Sequence, residues 1–257
     1  MDQSDFEKGW NLLSELAPGQ PEALTQWLDA IAPGMARLVI SFGYGEVLSR
    51  PGLDLKSRQT VTVAALAAKG SVREQLAFHI AAALTAGVTP EEVVEIIYLV
   101  VVFAGFPAGL NALAVAREVF GARGVKPGQV KPYEEGTTRR ERGLAALEAT
   151  SKGAGRAVVE SLADIAPALG EFILDFSYGD VIARQVLSPR HKELAMIAVA
   201  AACGTMRPQL KVHVLAGLAV GLGQAEIVEA LIQIAVYAGF PAALNALSAA
   251  REAFENR

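Results

Sequence analysis

The feature that most constrains this chain is an internal repeat at a constant spacing of 134 residues. Residues 42–120 superpose on residues 176–254 without a gap, and 34 of these 79 positions are identical. Ungapped identity of this extent indicates that a whole folding unit was duplicated. We therefore divide the chain into a first repeat, residues 1–130, and a second repeat, residues 131–257, and expect them to pack as a pseudo-dimer.

The sequence within each repeat is typical of helices. Alanine and leucine are abundant, and alternation of β-branched residues is absent over any useful length. Asp54 and Ser188 occupy equivalent positions at predicted helix starts, whereas Gly70 and Gly204 occupy the corresponding helix ends. We predict an all-α fold.

One apolar run is close to the length of a membrane span. Residues 96–113 carry no charged side chain over eighteen positions. The tripeptide Gly105-Phe106-Pro107 interrupts this run and predicts a kink or a break, because proline removes a backbone hydrogen bond of the helix. We interpret the run as a helix buried between the repeats and expect no membrane segment.

Charge and cysteine content narrow the possible partners. The formal net charge of −4 disfavours a basic face that binds nucleic acid. Residues 2–5 are acidic or polar with no apolar run behind them, so we expect no secretory signal. Cys203 is the single cysteine, which suits a reducing compartment. We expect a cytoplasmic protein that binds a small molecule.

Two of the three histidines, His79 and His213, fall at equivalent positions of the repeats. Histidine can donate or accept a proton near neutral pH, although a histidine on an apolar helix face is often a hydrogen-bonded core residue. A carboxylate such as Glu46 and a guanidinium such as Arg50 or Arg58 would add a second proton carrier and an anchor for an anion. The residues alone leave a catalytic and a structural role open.

Other chemistries lack their characteristic residues. The sequence has no glycine-rich phosphate loop, no closely spaced metal ligands and no nucleophile elbow, so we expect no metal and no cofactor. Glu95 and Glu229 also match between the repeats, and near a predicted helix start we expect them to act on the helix dipole or at the surface.

With these motifs in place, both repeats resemble the carboxymuconolactone decarboxylase family. The first repeat follows the family pattern in Phe42-Gly43-Tyr44-Gly45-Glu46, Arg58, Gln75-x-x-x-His79 and Ala104-Gly105-Phe106-Pro107-Ala108. The second follows it from Tyr178-Gly179-Asp180-Val181 through His213 to Tyr237-Ala238-Gly239-Phe240-Pro241-Ala242. The resemblance implies an all-α fold whose single-copy members form rings of six. A tandem chain is then expected to form a homotrimer that imitates the hexamer.

The resemblance also implies a reaction, the cofactor-free decarboxylation of γ-carboxymuconolactone in aromatic catabolism. His79 and His213 would be general acid/base residues, with Glu46 and Asp180 as their acidic companions. The residues expected to contact a small anionic, carboxylated substrate are Arg50, Arg58, Arg184, Lys192, Phe103, Phe106, Tyr237 and Phe240. Because Asp180 and Lys192 depart from the first repeat, we favour the first repeat as the catalytic one.

The same superfamily includes alkyl hydroperoxidase D, which uses a Cys-x-x-Cys pair ahead of the histidine. Here those positions hold Val72 and Gln75, and Met206 and Gln209 in the second repeat, so a disulfide-cycling peroxidase is disfavoured. Glu193 stands at the glutamate position of the peroxidase, where the first repeat has Gln59. Glu193 and Cys203 are therefore further candidates, although we interpret Cys203 as incidental.

The leading hypothesis is a lyase that decarboxylates a small carboxylated lactone. One alternative is an isomerase, dehydratase or cyclase of a biosynthetic pathway that uses the same proton donors without losing carbon dioxide. A second alternative is a non-catalytic scaffold that binds an apolar ligand, with both histidines hydrogen-bonded in the core.

Overall fold

The computed structural model describes residues 2–151 and 153–255, and within them all regular structure is helical. This confirms the predicted all-α class. The first repeat contains α1 (Gln3–Leu16), α2 (Gln20–Asp29), α3 (Met35–Leu38), a π-helical segment (Val39–Leu48), α4 (Leu55–Lys69), α5 (Arg73–Thr85) and α6 (Pro90–Arg123). The second repeat contains α7 (Arg139–Ser151), α8 (Ala154–Glu160), α9 (Pro167–Phe172), a π-helical segment (Ile173–Ile182), α10 (Pro189–Cys203), α11 (Arg207–Ala219), α12 (Gln224–Ala238) and α13 (Phe240–Glu255).

The predicted helix ends are confirmed by their capping contacts. Asp54 accepts a hydrogen bond from the amide of Ser57 at 2.9 Å, and the Ser188 hydroxyl accepts one from the amide of His191 at 3.2 Å. Gly70 and Gly204 end α4 and α10 with φ of 70° and 73°, in the left-handed region that glycine adopts without strain.

The predicted interruption of the apolar run is also present in both repeats. Gly105 has φ 87° and ψ 164° inside α6, and Gly239 has φ 88° and ψ 158° between α12 and α13. By length and composition α6 passes as a possible membrane span. The kink divides it, however, and neither arm supplies the roughly 20 consecutive apolar residues that a span requires. Ile96, Ile97 and Val100 of its first arm are fully buried in the main core, which favours a core helix.

Helices α4 and α10 form the centre of the molecule. Residues 57–67 of α4 and 193–202 of α10 are all buried. Ser57 Oγ lies 3.1 Å from His191 Nε2, and these two residues occupy equivalent positions of the repeats. A pseudo-twofold axis therefore passes between α4 and α10, and the main hydrophobic core is shared by both repeats.

Glycines allow the first helix of each repeat to cross its π-helical segment closely. A Cβ atom on Gly45 would lie 1.9 Å from the carbonyl oxygen of Asp5, and one on Gly9 would lie 2.0 Å from that of Ile40. In the second repeat a Cβ atom on Gly143 or Gly179 would likewise clash with a backbone carbonyl oxygen. The close crossing fixes the position of the π-helical segment, which in the first repeat contributes Phe42 and Tyr44 to the cavity described below.

Candidate active site

His79 lies on α5 at the contact between the two repeats. It is 4% exposed, and its Nδ1 lies 3.1 Å from Oε1 of Gln59 on α4. The rings of Phe78 and Tyr237 stand edge-on to the imidazole at centroid distances of 5.0 Å. Burial lowers the pKa of His79 to about 3, so the imidazole is neutral around pH 7. Because Tyr237 belongs to α12, the environment of this histidine is completed by the other repeat.

A cavity of about 960 Å³ opens beside His79. Its wall is mostly apolar and includes Trp27, Phe42, Phe78 and several leucines, with Tyr44 and Tyr237 as phenolic residues. Glu74 is the single charged residue among those described in the wall, apart from the titratable His79 itself. A space of this size and character fits a small, largely apolar molecule.

A chain of hydrogen bonds leads from Tyr237 to the buried Arg58. Burial raises the pKa of the Tyr237 phenol well above its ordinary value, whereas a hydrogen bond with Thr62 acts in the opposite direction. Gln233 Nε2 donates to Thr62 Oγ1 at 2.7 Å, and Gln233 Oε1 accepts from Arg58 at 3.3 Å. A hydrogen bond that lowers the pKa of the phenol is one that Thr62 donates to the Tyr237 oxygen, and it leaves the phenolic O–H free to donate to a molecule in the cavity.

His213 has a different environment in the second repeat. Its Nδ1 lies 2.9 Å from Oε2 of Glu193, and the ring of Phe103 from the other repeat stands at a centroid distance of 5.2 Å. His213 and Glu193 are each 4% exposed. His213 does not line the described cavities, whereas Glu193 lines a separate one of about 480 Å³.

Most of the hydrogen-bond chain at His79 has apolar counterparts at His213. The positions equivalent to Tyr237, Thr62 and Gln233 are occupied by Phe103, Met196 and Leu99. Three of the four members of the chain are therefore replaced by apolar residues at the second site, and Arg58 is replaced by Lys192. This joint replacement indicates that the two sites have diverged in their chemistry.

The arginines predicted to grip substrate are held by carboxylates of the opposite repeat. Glu229 accepts hydrogen bonds from Arg50 at 2.8 Å and from Arg58 at 3.0 Å, and Arg58 is only 1% exposed. Arg184 binds Glu95 in the same way at 2.7 Å. None of the three arginines lines the cavity of His79. Their predicted contact with substrate thus stays a prediction, and the structure shows an inter-repeat ion-pair role for each.

The expectation that Glu95 and Glu229 lie at the surface or act on helix dipoles is wrong. They are 4% and 7% exposed, and each is paired with a guanidinium of the opposite repeat. The predicted helices that carry both glutamates are present, but a helix pattern in the sequence does not show which residue of the other repeat will pair with them. Glu229 and Arg50 are 179 residues apart in the chain, so only the packing of the repeats brings them together.

The predicted acidic companions do not lie beside the histidines. Glu46 is exposed and is not among the residues that line the cavity of His79. Asp180 pairs with Arg139 at 2.5 Å and with Arg142 at 3.9 Å. The groups that lie within hydrogen-bond distance of the histidines are Gln59 and Glu193, both of which the comparison of the repeats had singled out at the peroxidase glutamate position.

The remaining candidates have varied positions. Phe240 stacks on Phe42 at a centroid distance of 5.7 Å, and Phe106 stacks on Phe176 at the same distance, yet Phe106 and Phe240 are mostly exposed.

Lys192 donates to the carbonyl of Ile182 at 2.9 Å. Burial raises the pKa of the half-buried Cys203, which reduces its thiolate fraction and disfavours redox chemistry.

Sequence reasoning missed Thr62 and the hydrogen-bond chain that it joins. Thr62 lies within an apolar run and carries no motif of its own. The available signal was the difference between the repeats, because Thr62, Gln233 and Tyr237 change together to apolar residues. No cluster of three or more metal-ligating side chains occurs among the residues that the structure describes.

Fold and site together define a duplicated all-α protein in which each buried histidine lies where the repeats meet. The sequence profile of the Carboxymuconolactone decarboxylase family matches residues 33–118 and again residues 167–252. The chain therefore belongs to this family and carries its unit twice, which confirms the resemblance.

Individual relatives agree with this assignment. The chain is 42% identical over 89 residues to 4-carboxymuconolactone decarboxylase of Acinetobacter baylyi, a match that covers 35% of this chain and 66% of that protein. It is 32% identical over 119 residues to an uncharacterized 15.0 kDa protein of Paracoccus denitrificans, covering 46% of this chain and 89% of that protein. A crystal structure of a candidate gamma-carboxymuconolactone decarboxylase subunit from Burkholderia xenovorans LB400 superposes over the full length of both chains, with a TM-score of 0.60 and 26% identity. The Acinetobacter protein and the Burkholderia structure both carry the name of carboxymuconolactone decarboxylase, and this chain is similar to both.

Proposed function

We propose that this protein is a cytoplasmic carbon–carbon lyase that decarboxylates a small carboxylated lactone or a related ring compound in the cavity beside His79. The observation that carries the proposal is the position of a neutral, buried histidine in the wall of a largely apolar cavity of about 960 Å³. The family and the Acinetobacter relative support the reaction class.

An apolar cavity favours the loss of carbon dioxide from a bound carboxylate. When the carbon–carbon bond breaks, its electron pair stays on the ring and spreads onto a conjugated carbonyl oxygen. A localised carboxylate is poorly solvated in such a cavity, whereas the delocalised transition state suffers less from the missing water. The absence of Lys and Arg from the described wall of the cavity fits this requirement, because a cation would stabilise the substrate carboxylate most.

His79 can then supply the proton that replaces carbon dioxide. Gln59 Oε1 faces Nδ1, so Nδ1 carries a proton in the neutral ring and Nε2 is free to take part in proton transfer. A bound anion raises the pKa of a nearby imidazole, so substrate binding would favour protonation of His79 at both ring nitrogens. Transfer of that proton from Nε2 to the ring carbon completes the exchange, while the phenol of Tyr237 donates a hydrogen bond to the carbonyl oxygen.

The test is carbon dioxide release from γ-carboxymuconolactone and a panel of related lactone acids. We expect turnover in the wild-type protein, loss of at least about a hundredfold in His79→Ala, and near wild-type turnover in the matched variant His213→Ala. Full activity of His79→Ala, or equal loss in both variants, would contradict the assignment to the first repeat. Histidine variants that alter only folding stability would instead support the non-catalytic scaffold.

A second candidate function is an isomerase or cyclase at the same site. The lack of a cationic side chain in the described cavity wall also suits a substrate with a neutral carbonyl group. Such an enzyme would move a proton through His79 without breaking a carbon–carbon bond. Product formation with no carbon dioxide, still lost in His79→Ala, would identify this class.

A further inference from the structure

The second repeat contains a cavity of about 480 Å³, and none of the other described cavities occupies the equivalent place in the first repeat. It lies between α7, α10 and the π-helical segment Ile173–Ile182. Its wall includes Ala146, Thr150, Ile182, Pro189 and Val220. The first-repeat residues at these five positions are Leu12, Leu16, Leu48, Leu55 and Ala86.

Those first-repeat residues all belong to a small hydrophobic core of their own. Leu16 and Leu48 are fully or almost fully buried there, and Leu12 and Leu55 pack against them. Replacing Leu12 by Ala146 and Leu16 by Thr150 removes much of the side-chain volume that fills this space. The cavity therefore results from the loss of large side chains at positions that are packed in the other repeat.

Lys192 places a cation in the wall of this cavity. In the first repeat the equivalent Arg58 shares Glu229 with Arg50. In the second repeat Glu95 is bound by Arg184 alone, and among the described residues no carboxylate oxygen lies within the 4.0 Å ion-pair distance of Lys192 Nζ. The Nζ atom donates to the carbonyl of Ile182 at 2.9 Å and has two further N–H groups.

Most of the other charged groups in the wall of this cavity already form hydrogen bonds within the protein. Glu193 is hydrogen-bonded to His213 at 2.9 Å, and Glu141 accepts from the amide and hydroxyl of Thr138 at 2.8 Å. Arg142 donates to two backbone carbonyls and stacks on the ring of Tyr133 at 3.9 Å. Glu134 is exposed at the rim. The half-buried ammonium of Lys192 is thus the group best placed to receive an anion.

We propose that this cavity is a second binding site, for a small carboxylate with an apolar body. The carboxylate would pair with Lys192, and the apolar part would lie against the alanines at positions 145, 146 and 149. This site is chemically distinct from the cavity of His79, whose described wall has no cationic side chain apart from the titratable histidine. It does not depend on the proposed decarboxylation.

The experiment measures benzoate binding to the full chain by isothermal titration calorimetry, with benzamide as the uncharged counterpart. We expect saturable binding of benzoate that is at least about tenfold weaker in Lys192→Met, because a charge-assisted hydrogen bond is lost. The double variant Ala146→Leu/Thr150→Leu restores the leucines of the first repeat and should abolish binding while keeping the fold. The matched control Lys126→Met removes an exposed cation that does not line this cavity and should bind benzoate as the wild-type protein does.

Three results would overturn the proposal. Unchanged binding in Lys192→Met, or in the filled double variant, would show that the ligand lies elsewhere. An equal loss of binding in Lys126→Met would show an effect of the net charge and not of the cavity. Equal affinity for benzamide and benzoate would show a merely apolar pocket. Melting curves of each variant distinguish loss of the site from loss of the fold.

Discussion

At the scale of single residues, burial sets the protonation of His79. Its pKa falls from 6.5 to about 3 because the imidazole is removed from water. Below pH 6.5 the unfolded chain takes up a proton on this residue, whereas the folded chain does not. The contribution of His79 to stability is therefore complete above pH 6.5 and is lost as the pH falls toward 3.

The direction of this pH dependence can be measured with the variant His79→Gln, whose side chain does not titrate. Between pH 8 and pH 5 the free energy of unfolding of the wild-type protein should fall by about 2 kcal/mol more than that of the variant. Urea unfolding at a series of pH values provides the comparison. Parallel pH profiles for the two proteins would show that His79 has an ordinary pKa in the folded state.

Tyr237 carries the second residue-scale prediction. Tyr237→Phe creates at the first site the residue that Phe103 provides at the second. Removing one hydrogen-bond donor to a developing oxyanion typically lowers kcat by about a hundredfold to a thousandfold, and we expect a loss of this order with little change in KM. Phe103→Tyr is the matched control and should leave turnover unchanged. A wild-type kcat in Tyr237→Phe would exclude a role for the phenol.

At the scale of elements, the close crossing of α1 over the π-helical segment depends on glycine. Gly45→Ala would place a Cβ atom 1.9 Å from the carbonyl oxygen of Asp5, so one of the two elements must move. We expect a loss of about 3 kcal/mol in the free energy of unfolding. Turnover should also fall, because Phe42 and Tyr44 of the same segment line the cavity.

Gly121→Ala supplies the control for this prediction. Gly121 is exposed on α6, and an added Cβ atom meets nothing within 4 Å. Alanine favours a helix over glycine by up to about 1 kcal/mol, so this variant should be as stable as the wild-type protein or slightly more stable. Equal melting temperatures for the two alanine variants would contradict the steric account.

At the scale of the whole molecule, apolar side chains are exposed at matching positions of the two repeats. Phe106 and Phe240 are 58% and 60% exposed, and Leu110 and Leu244 are 61% and 64% exposed. A duplicated apolar surface of this kind favours association with further copies of the chain. We propose the homotrimer that the resemblance implies.

Light scattering coupled to gel filtration tests the trimer. The expected mass is three times the 27.0 kDa of one chain. The double variant Leu110→Glu/Leu244→Glu should shift the protein toward the monomer, because it places charges on both copies of the apolar surface. A wild-type monomer at micromolar concentration would contradict this prediction.

Much of the fold could be predicted from the sequence because its signals are local. The caps at Asp54 and Ser188 and the interruption at Gly105 depend on residues within a few positions of one another. The π-helical segments were not predicted, since their form depends on the crossing helix that Gly9 and Gly45 admit. His79 and His213 were found as candidates, but Glu46 and Asp180 were placed beside them on the resemblance and lie elsewhere in the structure.

The sequence by itself determined the duplication, the helical class and the two histidine positions, because repeats and helix periodicity are properties of neighbouring residues. The tertiary structure decided how the sites are completed. Tyr237 reaches His79, Phe103 reaches His213 and Glu229 holds Arg50, each across the contact between repeats. Such contacts depend on packing between helices far apart in the chain, and the same packing left different cavities in two repeats of common origin.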